Sequence, residues 1–132
     1  MRMKNRNEKF NIKNRLLSFK YAFQGLRHVL KSEHNFRIHL MAAFVAIALG
    51  VFFRINRNEW LVITLCIGMV LSLELINSAV ESLVDLISPQ KSEKAGIIKD
   101  TLAAGVLIAA VCSLIAGVII MLPYLLNLLN NS

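Results

Sequence analysis

Apolar and polar positions follow four successive patterns along this chain. From Ile12, the apolar residues Ile12, Leu16, Phe19, Phe23, Leu26 and Leu30 step alternately by four and three, while Lys13, Lys20, Arg27 and Lys31 fall on other faces. That period predicts an amphipathic helix over 12–31, lying in a membrane interface or packed against protein, with a polar arm over 1–11 before it. Glu33 to His39 (EHNFRIH) is expected as a polar hinge. The next pattern, 38–53, is a first span without Lys, Arg, Asp or Glu. It rises about 24 Å, short of a ~30 Å hydrocarbon core. Arg54 to Glu59 reads as a polar turn, and Trp60 as the interfacial anchor that opens a second span over 60–87. Ser88-Pro89 then punctuates the helix, Pro89 being acceptable as the first residue of a new one. A third span over 97–129 carries no charge from Thr101 on, and its apolar run is interrupted by Pro123. Ala42, Ala46 and Gly50, and likewise Gly105, Ala109, Ser113 and Gly117, form rows of small residues suited to close helix contact. No repeat or second domain is visible, so 1–132 is expected to form one unit: an all-α integral membrane protein with a surface helix and three transmembrane helices.

The second span departs from its neighbours over ELINSAVESLVD, residues 74–85. On a helix Glu74, Asn77, Glu81 and Asp85 fall within about 80° of one another, with Ser78 beside them. Measured from Trp60, Glu74 lies about 21 Å down, Glu81 about 31 Å and Asp85 about 37 Å. Glu74 is thus expected inside one leaflet, and Glu81 and Asp85 at head-group level. Ionisable groups at membrane depth are rare and mark functional sites by default.

Composition sharpens this picture in three ways. The chain is 56% hydrophobic and 17% charged, too apolar for an ordinary soluble domain. Net charge is +7, and the first 37 residues hold ten Lys or Arg against Glu8 and Glu33. A basic arm beside the first span belongs on the cytoplasmic side, which places the N-terminus there. Nucleic-acid binding is disfavoured because the cations interleave with an apolar stripe. Cys66 and Cys112 stand singly in apolar runs and read as packing residues. No cleavable signal peptide is expected at the polar N-terminus.

Several chemistries suit the acidic face. The charged form of a carboxylate set in hydrocarbon is disfavoured, which fits Glu74 as a general base or proton carrier. Glu81, with Asp85 or Glu33 beside it, is better solvated and can hold a hard Mg²⁺ together with phosphate oxygens. Lys99, just before the third span, offers a point charge for phosphate. Together they supply the parts of phosphoryl transfer. Two other readings stay open: a ladder of structural contacts, for instance Glu74 to Lys99, and a proton or ion pathway. His34 and His39 could hold a metal, but a spacing of five does not align them on a helix. The loop and motif signatures of soluble kinases are absent from the sequence.

ELINSAVESLVD followed by Lys99-Asp100 resembles the prokaryotic diacylglycerol kinase family, whose pattern is ExxNxAxExxxD with a Lys-Asp pair at the start of the third span. SFKYAFQGLR, Glu33 before the first span and the three-span length extend the likeness over most of the chain. The EHNFRIH stretch is closer to the Gram-positive branch, which phosphorylates undecaprenol, than to the enterobacterial diacylglycerol kinases. The resemblance implies a homotrimer in the bacterial cell membrane with active sites formed between subunits, using ATP and Mg²⁺ on a lipid alcohol. It makes Glu74 the catalytic base and has Asn77 orient the reacting groups. Glu33 and Glu81 become metal ligands, and Tyr21, Glu33, Glu81, Asp85, Lys99 and Asp100 nucleotide contacts. The lipid is expected against Glu74 and Ser78, with Arg27 as a further contact. Asn14, where the enterobacterial pattern has Arg, and an 88–93 loop lacking that branch's Tyr-His depart from the pattern.

Overall fold

The computed structural model describes residues 12–90 and 92–130, with residues 12–14 in backbone alone. The polar arm expected over 1–11 lies outside them. Four helices follow in order: α1 (Ile12–Ser32), α2 (His34–Phe53), α3 (Arg57–Ile87) and α4 (Glu93–Asn130). The last three are long and apolar enough to cross a membrane. Their large side chains point mostly outward, Leu65 at 70% and Ile119 at 67% exposure, as lipid-facing surfaces require. On α1 the apolar stripe, including Phe19 and Phe23, is exposed too, and only Val29 is buried among its described side chains.

The polar hinge expected over Glu33–His39 contracts to one residue. Glu33 is extended (φ −98°, ψ 116°), and its N–H closes α1 on the Val29 carbonyl at 2.8 Å. Helix resumes at once with His34, because Phe36 in the first turn is the most deeply buried large side chain. Polar residues are tolerated there since the first N–H groups of a helix lack intrahelical partners anyway. With 20 residues, α2 is about 30 Å long, enough to cross a hydrocarbon core, and extends four residues before the apolar run at 38–53.

A Schellman motif ends α2. Arg54 is left-handed (φ 53°), its N–H bonds to the Val51 carbonyl, and the Ile55 N–H bonds to the Gly50 carbonyl. Buried Ile55 and Trp60 fold back over Gly50, where a Cβ would stand 2.9 Å from Trp60 Cη2 and 3.1 Å from Ile55 Cδ1. Gly50→Val should therefore destabilise the fold by about 1–3 kcal/mol, read as a lower thermal midpoint in detergent. Gly25→Ala, where nothing lies within 4 Å of an added Cβ, should not destabilise it.

The third helix starts at Arg57, three residues before Trp60, because Asn56 caps it. The Asn56 side chain accepts from the Asn58 and Glu59 N–H groups, and Glu59 accepts from the Asn56 N–H, a complete capping box. Pro89 does not open α4. The residue before a proline is pushed out of helical geometry, and Ser88 (φ −127°, ψ 73°) ends α3. The next helix waits until Glu93.

α4 packs most extensively on α3, antiparallel to it. Two contacts fix the register: Tyr124 donates to Glu59 at 2.8 Å at one end, and Lys99 meets Asp85 at 2.5 Å at the other. The expected rows of small residues serve differently from close helix contact. Only Gly50 of the first and Ala109 of the second are buried, while Ala42, Ala46, Ser113 and Gly117 border an open space between the spans.

Candidate active site

Because α3 is continuous from Arg57 to Ile87, its polar residues share one face and become a graded series. At the buried end stands Glu74, 4% exposed, with Ser78, 5% exposed, one turn on. Nearest the helix end is Asp85, with an exposed side chain. Glu33, at the α1–α2 break, leans across so that Ser78 Oγ donates to its Oε1 at 3.3 Å. The sharp turn at residue 33 is what brings this carboxylate to α3. Asn77 donates through Nδ2 to Glu81 Oε1 at 2.7 Å, while its Oδ1 is buried without a hydrogen-bond partner among the described residues. Glu33 and Glu81 both lie close enough to Glu74 to act on it electrostatically.

Glu74 itself meets His39 of α2, Nε2 to Oε1 at 3.2 Å. The partnership of Glu74 with Lys99 that a structural ladder suggested does not form; Lys99 is taken by Asp85 instead. His39 is partly exposed, its side chain at 24%, and faces the buried carboxylate. His34 is turned away, 3.4 Å from Arg37, so the two histidines do not converge on a metal. The rule that singles out Glu74 could have found His39 as well: an ionisable group one residue into an apolar span, at the level of a buried carboxylate, calls for a partner.

Ser78, expected against the lipid, has its hydroxyl engaged with Glu33. Tyr21, Arg27 and Asp100 stand exposed. Lys99 and Asp85 form a partly exposed pair. Such a pair adds little stability, about 0–1 kcal/mol, so either charge can change partner at small cost.

Among the described residues no three His, Cys, Asp or Glu side chains form a metal cage. The donor set present is smaller: the carboxylates of Glu33 and Glu81 and the unpartnered Asn77 Oδ1. This suits a hard cation that takes one or two carboxylates and completes its shell with phosphate and water. Beside the cluster, α2, α3 and α4 border a partly open apolar space of about 460 Å³. His39 lies at its polar end, and Ser113 within its walls has a buried hydroxyl without a partner among the described residues.

Residues 20–121 match the model of the family described as prokaryotic diacylglycerol kinase. Undecaprenol kinase of Bacillus subtilis is 39% identical over 108 residues, covering 82% of this chain and 88% of its own. Diacylglycerol kinase of Synechocystis is 38% identical over 117 residues, covering 88% of this chain and 67% of its own. Diacylglycerol kinase of Escherichia coli K12 is 29% identical over 101 residues, covering 76% and 83%.

Proposed function

The chain belongs to the prokaryotic diacylglycerol kinase family and is a lipid-alcohol kinase of the membrane, and on that footing we propose that it transfers the γ-phosphoryl group of ATP to the terminal hydroxyl of undecaprenol. The observation that carries this reading is the polar face of α3, graded from an exposed ion pair at Asp85 to a buried carboxylate at Glu74. A reaction between a water-soluble nucleotide and a lipid hydroxyl needs polar groups on both sides of that boundary. Glu74 accepts the hydroxyl proton. Lys99 exchanges Asp85 for nucleotide phosphate, with Asp100 and Tyr21 on the same side.

Glu33, Glu81 and Asn77 Oδ1, which has no hydrogen-bond partner among the described residues, would hold Mg²⁺, which when bound would offset charge on the phosphate oxygens. Asn77 keeps Glu81 oriented through its amide hydrogen bond. The basic N-terminal stretch puts this end of the helices in the cytoplasm, where ATP is. The exposed apolar faces of all four helices leave room for two further copies as well as lipid, and a homotrimer with shared sites is the assembly we assign.

Undecaprenol is favoured as acceptor by the Bacillus subtilis relative, similar over most of both chains. The apolar space beside His39 suits a hydrocarbon tail carrying a single alcohol. Diacylglycerol is the second reading, supported by the names of the Synechocystis and Escherichia coli relatives. Purified protein in vesicles holding both lipids, supplied with labelled ATP, should label undecaprenol preferentially. Label confined to phosphatidic acid replaces undecaprenol by diacylglycerol, and no label in either lipid removes the kinase assignment.

A further inference from the structure

We propose that His39 is the positioning residue of the phosphoryl acceptor site, holding one oxygen of the Glu74 carboxylate so that the other faces the lipid hydroxyl. The inference rests on the kinase reading above. Its basis is the contact between His39 Nε2 and Glu74 Oε1 at 3.2 Å, which joins α2 to α3 beside the reacting carboxylate. Glu74 is 4% exposed and stands on a helix whose neighbouring turns carry Leu71 and Ser78, neither of which bonds to it. An unheld carboxylate would rotate about its last bond and present either oxygen, or neither, to the acceptor. The His39 ring, with Nε2 3.2 Å from Oε1, restricts that freedom, as near-attack geometry demands.

The histidine is itself held. It sits on the second turn of α2, whose first turn is anchored by buried Phe36, and its ring borders the apolar space between α2, α3 and α4. A lipid alcohol whose tail occupies that space brings its hydroxyl past the ring to Glu74. With Oε1 engaged by His39, Oε2 accepts the hydroxyl proton while the alcohol oxygen bonds to the γ-phosphorus. The bond from that phosphorus to the β-phosphate oxygen breaks, and ADP leaves. His39 touches neither phosphate nor alcohol in this step. It acts through Glu74 alone.

The test uses full-length protein in vesicles with undecaprenol and ATP, comparing wild type, His39→Ala and His39→Gln. Glutamine places an amide nitrogen close to where Nε2 stands, and so restores a polar contact to Oε1 without an imidazole. His39→Ala should lower kcat by about 10–100-fold with the KM for ATP unchanged, and His39→Gln should recover most of the loss. A merely structural role would raise the KM for ATP together with the fall in kcat, or would not be rescued by Gln. Either of those results overturns the proposal, as does wild-type kcat in His39→Ala. Wild-type protein without any lipid phosphorylation is a separate result that removes the kinase reading itself.

Discussion

Glu74→Gln is expected to lower turnover by about 10²–10⁴-fold, the range a general base contributes. The replacement keeps the shape of the side chain and an oxygen able to accept from His39 Nε2, so the 3.2 Å contact and the packing around it survive. Only the capacity to take a proton is lost. If the carboxylate were merely a structural acceptor for His39, the amide would serve equally well and turnover would stay near normal. Transfer of label from ATP to undecaprenol, measured on variant protein with unchanged thermal midpoint, separates the two. Near-normal rates would exclude Glu74 as the base.

Lys99→Ala has the second largest expected effect, about 10²–10³-fold in kcat/KM, comparable to the loss of one preorganised electrostatic contact to a transition state. Stability should hardly change. The partner left behind, Asp85, has a side chain 66% exposed and is solvated without its lysine, so the lost pair amounts to no more than about 1 kcal/mol. A large kinetic loss with a small change in melting distinguishes a phosphate contact from a fold contact. It also distinguishes a kinase from a proton pathway through Glu74, to which a charge near the start of α4 is of no consequence. Lys99→Arg should recover only part of the rate, because a planar fork replaces a compact point charge.

The α3 face was legible in sequence because a helix converts spacing into direction, and Glu74, Asn77, Glu81 and Asp85 lie on one helix. The three spans were legible as apolar runs for the same local reason. Their ends were not. The start of α2 depends on burial of Phe36, that of α3 on the Asn56 and Glu59 capping box, and the end of α3 on the constraint Pro89 places on Ser88. Least legible were partners across helices. Glu74 meets His39 rather than Lys99, and Lys99 meets Asp85, because the register between α3 and α4 is set partly by Tyr124 on Glu59, 65 residues apart. No periodicity within one segment encodes such a match.

The turn between α2 and α3 is held unlike the other end of the helices. There Gly50, Ile55 and Trp60 interlock, Glu59 accepts from both Asn56 and Tyr124, and the Tyr124 ring stacks on Phe53 at 5.8 Å. At the opposite end the helices are joined by separate polar links, Glu33 to Ser78, His39 to Glu74 and Asp85 to Lys99. The three spans are thus held in two different ways, by interlocked apolar and aromatic side chains at one end and by polar pairs at the other, so that the end carrying the polar pairs can exchange partners while the packed end keeps the helices in register.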